Sequence, residues 1–465
     1  MIASLVNVFK IPELRRKIFF TLLVIAVYRF GSYTPIPGTH PGYLAMIAAP
    51  DDFSGGAGGT GSGFGGYLNF IARITGGSFQ PFLFALGIMP YISASIILQL
   101  LTQAVPSLER LAKEGEAGRR KINEYTRYLT VVLCVIQAAV ICNTAQFIPE
   151  TQQGGWRGEA VTSSTLYFMV CLTAMTAGTV FLMWMGELID EFGIGNGISL
   201  IIMAGIVDRL PAVGLYLYHN AQFKFASFQR DVIGIEKVVL IAVMFVGVVL
   251  AVVAITQAQR RVPIQQAKHT RGRRVYGGQR QYLPLRVNQA GVIPVIFASS
   301  LLMLPMYIFE ALAKMWNNAA TRSLAAAFGY GSVVHLLAYV FLIYIFCYFW
   351  TAIQFQPKEM ADNLRNWGSF IPGRRPGAST SRYLERVMNR ITYVGAGFLA
   401  VIALVPIVLS RATNVNMIVT GFLGGTGLLI IVSVALDVVQ RVESHLIMRH
   451  YEGFLAEGRV HGRQG

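Results

Sequence analysis

The sequence predicts an all-α polytopic membrane protein with ten transmembrane helices. Two observations carry that prediction. Of 465 residues, 54% are hydrophobic and only 13% charged, and the mean hydropathy is +0.52, well above that of a soluble domain. Ten apolar stretches, at about 18–37, 80–102, 128–148, 165–186, 198–217, 237–256, 290–309, 332–354, 391–410 and 421–439, approach the ~20 residues a helix needs to cross hydrocarbon. A third observation concerns their arrangement. A polar stretch at 218–236 separates five spans from five, and an odd number per half makes the second half enter from the opposite side. If the halves are structural repeats, the expected organisation is an inverted repeat, with a functional path at the interface of its halves. The N-terminal half is 1–217, an external hinge 218–236, the C-terminal half 237–440 and a cytoplasmic tail 441–465.

The first span ends in FGSYTPIPG without a small-residue cleavage pattern and reads as retained. A Gly-rich linker from residue 51 then leads to a short apolar piece, Tyr67 to Ile74, followed by Gly76-Gly77. That piece is too short to span. Irregular backbone at membrane depth is tolerated where it is buried in protein or lines a cavity, so this segment suggests a lined cavity. The second span, PFLFALGIMPYISASIILQLLTQAV, is uncharged but holds Pro90, Tyr91, Ser93, Ser95 and Gln99. Ile88, Ile92, Ile96 and Gln99 recur every three or four residues and share one helical face. An unsatisfied amide in lipid costs several kcal/mol. The face therefore looks into water or protein, either lining a path or packing on another helix with Ser93 and Gln99 as interhelical glue.

Orientation follows from Lys and Arg. With the N-terminus inside, 29 of the 39 basic residues fall on cytoplasmic segments, so both termini are expected in the cytoplasm. Two of those segments are more basic than topology requires. Residues 257–288 hold eight basic residues and no acid. Short apolar patches flank Gly277-Gly278, so this loop reads as a β-hairpin with Arg271, Arg273 and Arg274 near its tip. In residues 355–390, Pro372-Gly373-Arg374-Arg375-Pro376-Gly377 presents two arginines on a turn. Such loops suit RNA phosphates or an acidic protein face. Anionic lipid headgroups, at about 1 kcal/mol per residue, are the competing partner. The C-terminal tail has mixed charge and two glycine breaks and is expected to start helical and fray.

Several chemistries are missing. No acidic pair sits mid-span, as a proton- or sodium-coupled transporter would carry. There is no GxxxxGK[ST], HExxH or GxSxG. Cys134, Cys142, Cys171 and Cys347 lie in apolar runs without CxxC spacing, and His335 stands alone in a span. The expectation is a protein that is not an enzyme, with no metal and no cofactor, driven by a partner.

The motifs LGIMPYISASIILQLL, EGEAGRRKINEYTRYLT, FGIGNGISLIIMAGIV, GRRVY, LPLRVNQAGVIPVIFASS, KEMADNLR, FIPGRRPG and GGTGLLIIVSVALD, from about Lys10 to Glu452, resemble the SecY family. These are the large subunits of bacterial protein-translocation channels. The resemblance implies two five-helix halves in a clamshell around an hourglass pore with a plug. It implies a constriction ring at Ile88, Ile92, Ile198, Ile202, Ile296 and Ile430 and a plug over Gly65 to Gly77, with Tyr67, Leu68, Phe70, Ile71 and Ile74 as its apolar residues. The Gly-rich insert at 54–66 departs from the family pattern and blurs where the plug starts. A lateral gate of the second span against the seventh would use Ser93, Gln99 and Asn288. Docking of the ribosome and the SecA motor would use Arg271, Arg273, Arg274, Arg374 and Arg375. The implied partners are SecE, SecG, SecA, the ribosome, secretory polypeptides with their signal sequences, and membrane lipid. The implied location is the bacterial cytoplasmic (inner) membrane. Two other readings compete with a protein-conducting channel: a secondary transporter for a small amphipathic solute, and a scaffold that only recruits ribosomes or an ATPase.

Overall fold

The computed structural model describes residues 11–39, 82–146, 164–208, 210–211, 214–215, 218, 221–222, 233–266, 269–271, 274–276, 280–316, 319–328, 332–413 and 426–457. The expected plug residues Tyr67, Leu68, Phe70, Ile71 and Ile74 and the Gly-rich insert lie outside these, as does Arg273. Each of the ten expected spans overlaps a helix, the fifth, expected over 198–217, only through Gly197–Val207. Four stretches, Thr165–Phe192, Glu236–Gln257, Val333–Asn366 and Ala378–Leu409, are long and apolar enough to cross a membrane by length and composition alone. The chain divides into two compact units, Met1–Tyr216 with Val434–Gly465, and Leu217–Ser433.

The first unit contains α1 (Pro12–Ser32), α2 (Met89–Ala104), α3 (Pro106–Lys113), α4 (Glu116–Gln146), α5 (Ser164–Phe192) and α6 (Gly197–Val207). Its core includes Ala138 and Cys142 of α4 with Tyr167, Cys171 and Met175 of α5, all buried. The expectation of a helix from residue 80 is corrected. Residues 83–88 form turns, Gly87 is left-handed at φ 58°, and α2 starts only at Met89. Pro90 therefore sits in the first turn rather than inside the helix, where its missing N–H costs nothing and its fixed φ suits the helix. Instead of helix, the pre-helical stretch is tied to the end of α1. Phe82 bridges Pro35, and Leu83 N–H donates to Thr34 O at 3.0 Å. At its other end α2 meets α3 at a 99° bend, where Pro106 opens the new helix.

The second unit contains α7 (Ile235–Gln257), α8 (Ile293–Trp316), α9 (Ala319–Phe328), α10 (Val333–Gln354), α11 (Pro357–Asn366) and α12 (Ala378–Thr413). Two short strands, β1 (Ala221–Gln222) and β2 (Ile233–Gly234), pair before α7. After it come β3 (Gln259–Gln266), β4 (His269–Arg271), β5 (Arg274–Tyr276) and β6 (Arg280–Arg286), and β7 (Ser369–Phe370) follows α11. The last helix, α13 (Thr426–Glu457), begins in this unit, and its residues from Val434 belong to the first. It runs unbroken to Glu457, so the tail begins helical, and residues 458–465 lie outside the described residues.

Candidate functional site

The six candidate ring isoleucines divide four and two. Ile88 and Ile92 sit at the start of α2, one turn apart, with Ile92 N–H donating to Ile88 O at 3.1 Å. What aims them is the pinned stretch before α2. Phe84 stacks on Tyr28 and on Phe181, at 6.0 Å and 6.1 Å between centroids. Gly31 and Gly178 make room for it: a Cβ on Gly31 would lie 2.1 Å from the Phe84 ring, and one on Gly178 would lie 2.1 Å from Leu83 O. Ile88 is only 2% exposed, while Ile92 is half-buried.

Ile198 and Ile202 occupy successive turns of α6, both half-buried. The turn that launches α6 is heavily specified. Gly195 takes φ 101°, Asn196 Oδ1 accepts from Ser199 N–H at 3.0 Å, and Asp190 Oδ1 accepts from Gly197 N–H at 2.8 Å. These side chains satisfy donors that a helix start leaves without intrahelical partners. A Cβ on Gly197 would lie 2.0 Å from Gly186 O, so α5 and α6 touch backbone to backbone. Arg441 of α13 donates to Gly195 O at 3.2 Å and closes the same turn. The other two isoleucines belong to the second unit: Ile296 is half-buried in the first turn of α8, and Ile430 is 5% exposed in α13.

Of the gate candidates, Ser93 and Gln99 lie on α2 and Asn288 between β6 and α8. Gln99 is exposed, and its amide donates one turn back to Ser95 Oγ at 3.4 Å. Asn288 is half-buried.

The first basic loop is a hairpin, as its turn residues predict. β3 and β6 pair antiparallel from Gln259–Arg286 to Gln265–Arg280, and β4–β5 continues it, ending on the Arg271–Arg274 pair. Arg271 and Arg274 are therefore the last paired residues of β4 and β5. In the second loop, Arg374 and Arg375 are exposed between Gly373 at φ 78° and Gly377 at φ 99°. Thr380 Oγ1 donates to Arg375 O at 2.9 Å, and the Arg374 guanidinium lies 5.2 Å from the Tyr383 ring centroid. These contacts hold the turn in one shape.

The sequence reading missed that the two loops are one structure. β7 pairs with β3, Gln265 with Phe370 and Gln266 with Ser369, making a sheet of order β6-β3-β7. Beneath it, Val262, Ile264 and Leu285 of the hairpin bury with Leu364, Ile371, Leu384, Val387 and Met388. The signal was present in the alternation of Val262 and Ile264 with exposed neighbours, and in the isolated apolar Phe370-Ile371 after a glycine. A second missed feature is the ion pair of Arg127 on α4 with Glu187 on α5, bidentate at 2.8 Å and 2.8 Å. A third is Arg29 of α1 paired with Asp208, with the guanidinium 4.3 Å from the Tyr33 ring centroid. Among the described residues no cluster of metal-ligating side chains occurs.

Known proteins share this architecture and sequence. A solved structure described as "The structure of a protein conducting channel" matches with a TM-score of 0.56 at 18% identity, covering 98% of this chain and 99% of that one. Canine Sec61 in a ribosome-channel complex matches with a TM-score of 0.53 at 17% identity, over 98% and 99% of the two chains. In sequence, protein translocase subunit SecY of Thermotoga maritima is 42% identical over 461 residues, 98% of this chain and 99% of the relative. The Streptomyces coelicolor subunit is 43% identical over 98% of this chain and 100% of its own length. The SecY family model matches residues 83–439. With that model across most of the sequence and relatives aligned end to end, the chain belongs to the SecY family.

Proposed function

We propose that the chain forms the protein-conducting channel of a Sec translocase. It passes unfolded secretory polypeptides across the membrane and releases hydrophobic segments sideways into it. The observation that carries this reading is the end-to-end match to translocase subunits, which spans both units. The solute-transporter alternative draws no comparable support.

In this reading Ile88, Ile92, Ile198, Ile202, Ile296 and Ile430 form one constriction. Branched apolar side chains offer water and ions no partner, so a narrow ring of them gates by dewetting yet tolerates a passing chain of any sequence. Tyr67, Leu68, Phe70, Ile71 and Ile74 supply the plug, and Ser93, Gln99 and Asn288 line the lateral gate. The halves are 1–217 and 237–440, joined by a hinge at 218–236, with a tail from 441. The chain resides in the bacterial cytoplasmic membrane with both termini inside, catalyses no reaction itself, and is clamped by SecE with SecG peripheral. Arg271, Arg273 and Arg274 at the hairpin tip, with Arg374 and Arg375 on the glycine-bounded turn, dock the ribosome and SecA. The pinned turn around Arg375 supports that role, because a pre-ordered guanidinium loses little entropy on making a bidentate contact.

The test is a stalled secretory chain trapped in the channel, with photo-crosslinkers placed at Ile88, Ile92 and Ile296 in turn. Crosslinks from all three positions are expected. Their absence at every position, with the stalled chain otherwise engaged, defeats the channel reading.

A further inference from the structure

Arg382, Arg386 and Arg390 of α12 are spaced by four and lie along one face of the helix. With Tyr348 of α10 and Tyr393 they line an open groove of about 780 Å³ within the second unit. All three arginines are exposed, and among the described residues none of them forms an ion pair. Glu385 is the one acid lining the groove, which leaves it net positive. At 1.5 Å rise per residue, the ladder runs about 12 Å along the helix.

The ladder ends where the apolar run of α12 begins. Arg390 is followed by the expected ninth span, and Tyr348 lies near the end of α10 on the same side, its hydroxyl donating to Asn389 O at 3.3 Å. Tyr344 and Tyr393 pack with ring centroids 5.6 Å apart. Tyrosines at this level mark a membrane interface. Past them the same face of α12 continues as Val394 and Val401, each 61% exposed, and α10 beside it exposes Leu337 at 66% and Phe341 at 65%. A cationic groove thus runs without a break into an apolar, outward-facing stripe.

We propose that this groove is a binding site for an anionic glycerophospholipid. Its phosphate sits on the Arg382–Arg386–Arg390 ladder and its acyl chains lie along the exposed faces of α10 and α12. The proposal rests on the membrane placement that family membership implies, but not on any step of translocation. Basic pockets between spans on the cytoplasmic side suit acidic headgroups, and long Arg side chains reach from the helix edge into the headgroup layer. A free phosphate would need no apolar stripe. An acidic protein segment would leave that stripe uncovered.

The test uses the full chain in nanodiscs of phosphatidylcholine with a minor fraction of phosphatidylglycerol, with retained lipid counted by native mass spectrometry. The wild type is expected to retain phosphatidylglycerol preferentially. R382Q/R386Q/R390Q is expected to lose about a hundredfold in affinity, from three residues each worth about fivefold. The single R386Q, losing about fivefold, serves if the triple variant melts early in phosphatidylcholine alone. R260Q/R261Q/R280Q, which removes as much charge from the hairpin, is expected to retain lipid as the wild type does. Three results overturn the proposal. One is equal loss in the hairpin variant, which reduces the effect to bulk surface charge. Another is competition by soluble glycerophosphoglycerol at the lipid's own concentration, which makes the site one for free phosphate esters. The last is a photo-crosslinker at Asn389 that captures a protein segment instead of lipid.

Discussion

At the scale of single residues, the side chains that matter most for the candidate site are the ones that aim it. Asn196 and Asp190 carry no transport chemistry, yet they cap the helix that presents Ile198 and Ile202. Asn196→Ala is expected to cost about 1 kcal/mol, the usual worth of an N-cap, and to lower the thermal unfolding midpoint of the purified chain. Asn196→Ser should recover most of the loss, because a hydroxyl can accept from Ser199 N–H in the same way. An Ala variant that melts like the wild type would show that the Asp190 and Arg441 contacts suffice alone. Only part of this aiming could be read from the sequence. FGIGNGIS shows a turn and a capping residue, but not that Gly197 must approach Gly186 so closely that no Cβ fits.

At the scale of elements, the hairpin and its Arg-bearing tip were legible, because turn residues and alternating apolar positions are local signals. The ten spans were legible for the same reason: apolar length is written in the chain. The start of α2 was not, since apolarity alone cannot separate helix from a pinned turn. Nor was the union of the two basic loops, since β7 is two residues long and pairs across a hundred positions. That union has a consequence that can be measured. Charge reversal at Arg271, Arg273 and Arg274 should weaken ribosome binding in a salt-dependent manner, and Arg375→Glu should impair SecA-driven transport. Leu384→Ala should do both, because Leu384 is fully buried in the core beneath the shared sheet and such truncations cost about 2–5 kcal/mol. Hydrogen exchange should then rise in β3 and β7 together. Exchange that rises in only one of them would mean the loops fold independently.

At the scale of the whole molecule, the composition indicates a membrane protein, and the motif series, as a resemblance, indicates a channel. The proposed ring could be reached only through that resemblance, because six isoleucines drawn from four helices have no common spacing. Replacing two or more of Ile88, Ile92, Ile198, Ile202, Ile296 and Ile430 with Gly or Ser should let the constriction wet. Planar-bilayer recordings should then show ion conductance in the resting channel, and an unchanged baseline would remove these residues from the seal. One feature of the first unit bears on how such a seal could be kept over time. At Gly178 and Gly197 the opposing atoms are main-chain carbonyls, of Leu83 and Gly186, and no codon change alters a carbonyl. A tight fit between two side chains can drift, each partner compensating for the other. Here only one side of the joint is encoded by a choice of residue, so the lineage has no second mutation with which to rescue the first. The helices that present four of the six proposed ring isoleucines are thus held by contacts that a compensating change of side chain cannot restore.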